Sequence, residues 1–219
     1  MIGELKAILC DMDGVLVDSE ALHWETVHDV LHELGALREG ERLPEQIGWG
    51  DHELWAVQRA RYALSQSAEE LTSLRAQHAE RRLEATPPPC VPGSLEGLQA
   101  LKRAHPTLRL AVVSASPLRQ MEQSLSAYEG LFELMVSGVD HCEHNKPSPE
   151  PYLTAMARLG LSPAECGVIE DSPTGLRAAL SSEAHVWCLG EAEGTEMFEG
   201  RLTGRLKHIT ELSRAPRPQ

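Results

Sequence analysis

Five short apolar runs constrain this chain more than any other feature: Ala7-Ile8-Leu9-Cys10, Leu108 to Val113, Leu134-Met135-Val136, Cys166 to Ile169, and Val186-Trp187-Cys188-Leu189. They do not alternate apolar with polar, so they read as strands covered on both faces, as in a parallel sheet. Helical spacing surrounds the later runs. Leu95, Leu98 and Leu101 precede the second, and Met121 and Leu125 follow it. Tyr152, Leu153, Met156 and Leu159 precede the fourth; Leu176, Ala179 and Leu180 follow it. Strand–helix alternation of this kind predicts an α/β fold with a doubly wound, Rossmann-like parallel sheet.

The first interval breaks the rhythm. No strand-like run lies between Cys10 and Leu108. Residues 19–86 carry helical spacing instead, first through Leu22, Val27, Val30, Leu31 and Leu34, later through Leu64, Leu71, Leu74 and Leu83. Thr86-Pro87-Pro88-Pro89 then stops helix formation, because proline lacks the amide that a helix needs. The pattern predicts an all-α domain of residues 16–89 inserted after the first strand, with residues 1–15 and 90–219 forming the α/β core.

Asp and Glu number 33 against 20 Lys and Arg, a formal charge of −13. Such a surface repels nucleic acid and anionic membranes, so neither is an expected partner. No apolar run approaches the ~20 residues of a membrane span. The opening residues lack the charged and apolar blocks of a secretion signal. The five cysteines are odd in number and form no C-x-x-C pair, which suits a reducing compartment. The expectation is a cytoplasmic protein, and the 219-residue length and 4% aromatic content permit a monomer.

The chemistry concentrates after the apolar runs. Cys10-Asp11-Met12-Asp13-Gly14-Val15-Leu16-Val17-Asp18-Ser19-Glu20 follows the first, which places Asp11 and Asp13 at a strand's carboxyl end, the edge where open α/β sheets bind ligands. Gly14 lets backbone approach an anion closely. A calcium loop is a rival reading, but an EF-hand needs glycine sixth and here it stands fourth. A solvated acidic turn is the other. Three further pieces bear on the choice: Val112-Val113-Ser114-Ala115-Ser116, Asn145-Lys146-Pro147-Ser148-Pro149-Glu150, and Ile169-Glu170-Asp171-Ser172-Pro173-Thr174-Gly175. Each alone reads as a cap or an exposed charge. In one parallel sheet their strand ends converge on one edge.

Together the four pieces resemble the motifs of the haloacid dehalogenase-like hydrolase superfamily, in particular its phosphatase and β-phosphoglucomutase-like branch with a helical cap after the first strand. The resemblance spans nearly the whole chain in the right order. It implies that Asp11 is the nucleophile and forms an aspartyl-phosphate. It implies that Asp13 serves as general acid and then general base, offering the metal only its backbone carbonyl. Asp171 and Asp11 ligate Mg²⁺, with Glu170 an outer-shell or additional ligand. Lys146 neutralises charge between nucleophile and phosphoryl, while Ser114 and the Ala115 amide hold phosphoryl oxygens. The physical chemistry agrees: four carboxylates and one lysine carry a formal −3, which needs a cation, and an all-oxygen donor set suits Mg²⁺. Dehalogenases of the superfamily lack an acid at the place of Asp13, so phosphate ester chemistry is implied.

The same resemblance makes the insertion a cap that excludes water and reads the leaving group. His23 matches a hinge histidine of the mutase branch; it contacts substrate or is an ordinary helix-surface histidine. Ile47-Gly48-Trp49-Gly50-Asp51-His52 resembles the substrate-specificity loop, which makes Gly48 and Trp49 candidate substrate contacts. The mutases carry an arginine where Asp51 stands and a lysine where Pro117 stands. Two missing cations favour hydrolysis of a monophosphorylated small metabolite over a β-phosphoglucomutase-like reaction, the alternative. A non-catalytic phospholigand-binding module is a third class, disfavoured because Asp13 is kept. His141-Cys142-Glu143-His144 lacks zinc-site spacing and reads as a loop at the mouth of the site. Trp49 and Trp55 offer stacking faces for a sugar or base, with packing in the core of the insertion the default reading.

Overall fold

The computed structural model describes residues 2–37, 41, 43 and 51–214. In chain order its strands and α-helices are β1 (Ala7–Cys10), α1 (Glu20–Glu33), α2 (Asp51–Tyr62), α3 (Ala68–Ala85), α4 (Ser94–Ala104), β2 (Arg109–Ser114), α5 (Leu118–Ser124), β3 (Leu134–Ser137), α6 (Glu150–Leu159), β4 (Cys166–Glu170), α7 (Pro173–Ser181), β5 (His185–Leu189) and β6 (Gly204–Leu206). The chain divides into two compact units: Met1–Asp18 with Pro89–Gln219, and Ser19–Pro88.

The first unit is a parallel six-stranded sheet of order β3-β2-β1-β4-β5-β6. It is the doubly wound, Rossmann-like sheet that the apolar runs predict. Alternate residues of each strand serve opposite faces, as the two-residue period of a strand requires. Ile8, Cys10, Leu110, Val112, Ile169 and Trp187 pack on one face with Leu98, Leu101 and Met121. Ala7, Leu9, Ala111, Val113, Val168 and Val186 pack on the other with Tyr152, Met156, Leu176 and Ala179. Each fully buried aliphatic side chain contributes roughly 1.5–3 kcal/mol, so these two layers hold the sheet.

Leu16 and Val17, which the sequence analysis assigns to the insertion, are fully buried in the first of these layers. Val17 forms isolated bridges to Asp13 and Cys90, and the Asp18 amide donates to Pro89 O at 2.8 Å. The β6 strand is absent from the sequence expectation. It is a three-residue edge strand, Gly-Arg-Leu, with no apolar run to announce it. The Arg205 guanidinium there bonds Glu199, and Glu199 Oε1 accepts from its Nε at 2.8 Å.

The second unit is all-α among its described residues. Val27, Val30, Leu31, Leu54, Trp55 and Leu71 form its core, which puts Trp55 in packing rather than at a surface. α3 begins with a reciprocal capping box: the Glu70 amide donates to Ser67 Oγ at 3.1 Å, and the Ser67 amide donates to Glu70 Oε2 at 2.7 Å. Arg82 of α3 grips Asp29 of α1 with Nε and Nη2 at 2.6 and 2.8 Å. That hydrogen-bonded pairing, against a smaller effect of burial, holds the Asp29 carboxyl below its ordinary range. No helix among the described residues is long and apolar enough to cross a membrane.

Candidate active site

Three strand ends and one loop meet at the carboxyl edge of the sheet. The Asp11 amide donates to Ile169 O at 3.0 Å, extending the β1–β4 pairing by one residue. That bond pins the first acid directly beside the strand that carries the last two. The chain then turns tightly, with Leu16 and Val17 amides donating to Met12 O at 2.8 and 3.0 Å. Gly14 has φ +76°, and a Cβ there would lie 2.0 Å from Asp171 Oδ2. Glycine is therefore needed twice at this position, for the left-handed backbone and for the approach of Asp171.

Lys146 is the hub. Its Nζ donates to Asp11 Oδ1 at 2.6 Å, Glu170 Oε1 at 2.8 Å and Val113 O at 2.9 Å. An ammonium has three protons, and all three are used. The side chain is only 5% exposed, and that of Glu170 is not exposed at all. Asn145 steadies this loop: its Nδ2 donates to Ala115 O at 3.0 Å, and its Oδ1 accepts from the Lys146 amide at 2.8 Å. Sequence reasoning missed Asn145, because nothing local links it to the Ser114 segment.

Glu170 accepts hydrogen bonds on both of its oxygens. Besides Lys146, its Oε1 accepts from Tyr152 Oη at 2.8 Å. Its Oε2 accepts from the amides of Asp171 (3.1 Å) and Ser172 (3.4 Å) and from Ser172 Oγ (3.3 Å). Ser172 also caps α7, its Oγ accepting from the Gly175 amide at 3.1 Å. A Cβ on Gly175 would fall 1.8 Å from Glu170 Oε1. Gly175→Ala should therefore displace the Glu170 carboxylate despite the roughly 1 kcal/mol by which alanine favours a helix. We expect turnover to fall about 10²-fold, as for comparable misplacements of site groups, with a lower melting temperature. Paired kinetic and thermal measurements check this; unchanged turnover would mean that the seat of Glu170 does not matter.

Ser114 ends β2, and its Oγ donates to Asp13 Oδ2 at 3.4 Å; Ser116 Oγ does the same at 3.4 Å. The Ser116 amide donates back to Ser114 Oγ at 3.1 Å. Ala115 between them is exposed. Thus Asp11, Asp13, Ser114, Lys146, Glu170 and Asp171 all lie in the α/β unit, linked by contacts or proximity.

The family model of haloacid dehalogenase-like hydrolases matches residues 5–182, which include every one of these groups. The chain belongs to the haloacid dehalogenase-like hydrolases. Hexitol phosphatase B of Escherichia coli (strain K12) is 30% identical over 183 residues, 82% of this chain and 81% of that protein. The phosphorylated carbohydrates phosphatase of Thermotoga maritima is 29% identical over 180 residues, 81% of this chain and 82% of that protein. Among solved structures, CbbY from Rhodobacter sphaeroides in complex with phosphate shares 25% identity with a TM-score of 0.75, covering 95% of this chain and 96% of that one. This hydrolase is a phosphatase of the superfamily's phosphatase and β-phosphoglucomutase-like branch.

The hydrolase has packed like charges at its centre. Burial first, and then Glu170, push the Asp11 carboxyl well above the ordinary carboxylate range, with Lys146 opposing. Burial and Glu170 likewise push Asp171 up to about 8. Burial disfavours the Lys146 ammonium, but Asp11 and Glu170 outweigh it and hold the charge on. Asp11, Glu170 and Asp171 present ligand oxygens within 4.8 Å of one another, the single such group found among the described residues. Hard oxygen donors with an excess of negative charge fit a divalent cation.

His23 is in the helical unit, where Ser19 Oγ is 3.3 Å from its Nε2 and Arg75 Nη2 is 3.4 Å from its Nδ1. Gly48 and Trp49 lie outside the described residues. In the His141–His144 segment, His141 Nδ1 accepts from the Ser137 amide at 3.0 Å, and His144 Nδ1 pairs with Glu150 Oε2 at 3.2 Å.

Proposed function

We propose that this phosphatase hydrolyses a small phosphorylated metabolite, a sugar phosphate or a similar ester, in a Mg²⁺-dependent reaction through an aspartyl-phosphate on Asp11. The observation that carries the reading is the Lys146 ammonium, which joins Asp11 at 2.6 Å to Glu170 at 2.8 Å beside Asp171. Asp11 is the nucleophile. Attack by its carboxylate oxygen on phosphorus splits the displacement into two easier steps. Asp13 gives a proton to the leaving oxygen and later takes one from water. The Ser116 hydroxyl, which donates to Asp13 Oδ2 at 3.4 Å, orients the carboxyl for both transfers. Lys146 offsets charge on Asp11 and the phosphoryl oxygens, and Ser114 with the Ala115 amide binds those oxygens.

Asp11, Asp171, the Asp13 carbonyl and Glu170 would hold the ion, with Glu170 either a direct or an outer-shell ligand. Bound there, Mg²⁺ supplies Lewis-acid polarisation and charge neutralisation. The proposal extends to the helical unit as a cap, with His23, Gly48 and Trp49 toward substrate, and to a cytoplasmic setting, which five free cysteines suit.

Two features favour hydrolysis over mutase chemistry. Pro117 offers no cation. The Leu118 amide at the start of α5 already donates to Asp140 Oδ2 at 2.6 Å, so a carboxylate of the chain occupies that donor. The test is phosphate release from sugar phosphates, polyol phosphates, phosphoglycolate and nucleotides with Mg²⁺. Free phosphate from one class supports the reading; an isomerised sugar phosphate with little free phosphate would overturn it in favour of the mutase.

Metal binding should be proton-linked. Asp171 keeps its proton up to about 8, so at pH 7 the ion must displace it. Apparent Mg²⁺ affinity should therefore rise with pH, by about tenfold per unit below pH 8 for the Asp171 proton and more steeply where Asp11 gives one up as well. Calorimetry in buffers of different ionisation heat counts that proton. Zero release at pH 7 would remove Asp171 from the ligand set.

A further inference from the structure

Tyr152 occupies the sheet-facing side of α6, and its sequence spacing marks it only as core. Its side chain is fully buried among Ala111, Val113, Met156 and Val168. Phenylalanine would fill that volume with no polar atom to satisfy. The hydroxyl instead reaches Glu170 Oε1 at 2.8 Å, and the ring face lies 4.8 Å from Lys146 Nζ. One side chain thus touches both partners of the buried ion pair.

We propose that Tyr152 is a positioning residue, whose hydroxyl anchors Glu170 Oε1 and whose ring face backs the Lys146 ammonium so that its protons stay aimed at Asp11, Glu170 and Val113 O. The geometry makes this specific. A lysine has a four-carbon flexible stem, and its ammonium has no orientation of its own. The π-face excludes proton donation backward while attracting the charge. Tyrosine has only two side-chain torsions, and here the packing around it holds both. With the hydroxyl removed, Oε1 keeps Lys146 as its sole donor, and the ammonium can follow the carboxylate away from Asp11. The proposal deepens the function proposed above and rests on it for the role of Lys146, but the contact itself does not depend on turnover.

Tyr152→Phe keeps ring and volume and removes one oxygen; Tyr152→Leu removes the ring as well. Phosphate release should show kcat reduced about tenfold in Tyr152→Phe, the worth of one hydrogen bond to a charged group, with KM within about twofold. Independently of activity and of metal, nitrogen-15 NMR of the Lys146 ammonium should show ring-shifted protons in the wild type and in Tyr152→Phe. Those protons should exchange with water about fivefold faster in Tyr152→Phe. The ring shift should vanish in Tyr152→Leu. Wild-type kcat in Tyr152→Phe, or unaltered ammonium exchange, would overturn the proposal. Absence of phosphate release by the wild type would instead defeat the phosphatase reading, and the exchange measurement would then decide the role of Tyr152 alone.

Discussion

Asp11→Asn is expected to lower phosphate release by at least ~10⁴-fold while leaving the fold intact. The amide has the size of the carboxyl and can still accept from Lys146, so the 2.6 Å contact keeps an acceptor. What disappears is the nucleophilic oxygen pair. Stability should not fall. Burial and Glu170 already push the Asp11 carboxyl above its ordinary range, which means that the folded chain resists that charge. Removing it relieves like-charge crowding, and the metal-free melting temperature should hold or rise, at about 2–4 °C per kcal/mol for a chain of this size. Phosphate release and thermal unfolding on the same preparation check both halves. Retention of more than a few per cent of wild-type turnover would mean that phosphoryl transfer does not pass through Asp11.

Lys146→Met should affect stability and activity together. Methionine matches the length of the stem and removes the cation from between two carboxylates. Breaking a buried ion pair on one side costs about 3–5 kcal/mol, because the partner charge is left without compensation. The expected fall in melting temperature is about 6–20 °C. The pH dependence has a definite sign. Lys146 keeps its charge across pH 5–8, since its folded pKa is raised above 10.5, so its own contribution in the wild type is constant there. Lys146 opposes the upward shift of Asp11 and Asp171. Without it those carboxyls rise further, and the folded variant binds more protons than the unfolded chain above pH 4. The variant should therefore lose stability with rising pH alongside the wild type up to about pH 8 and go on losing it above that, where the Asp171 contribution of the wild type levels off, and Mg²⁺ should restore part of the loss. Melting curves at several pH values, with and without the ion, test this. A variant whose curve still runs parallel to the wild type above pH 8 would show that the three charges are not coupled. Turnover should fall to background, because the transferred phosphoryl group loses its nearest fixed cation.

The parts legible from sequence and the parts that were not differ in range along the chain. β1 to β5 were visible because burial on both faces leaves unbroken apolar runs, a local signal. β6 was invisible because three residues at a sheet edge, one of them Arg205, carry no such signal. Asp11, Asp13, Ser114, Lys146, Glu170 and Asp171 were legible because each follows a strand or opens a helix within a recognisable string. Tyr152 and Asn145 were not. The apolar position of Tyr152 on α6 masks its hydroxyl, and the bond from Asn145 to Ala115 spans 30 positions.

By itself, the amino-acid sequence determined the strand–helix alternation, the site's chemical inventory and its excess of negative charge, since each depends on neighbours or on simple counting. Only the tertiary structure decided who pairs with whom. Lys146 meets Asp11 across 135 positions and Glu170 across 24. Those meetings follow from the strand order β3-β2-β1-β4-β5-β6, which sets β4 beside β1 and β2 on its other side. Strand order is chosen by the packing of whole layers, and no local pattern records it. The glycines at 14 and 175 follow the same logic: the strings display them, but only the carboxylates of Asp171 and Glu170 lying where a Cβ would stand explain why nothing larger fits.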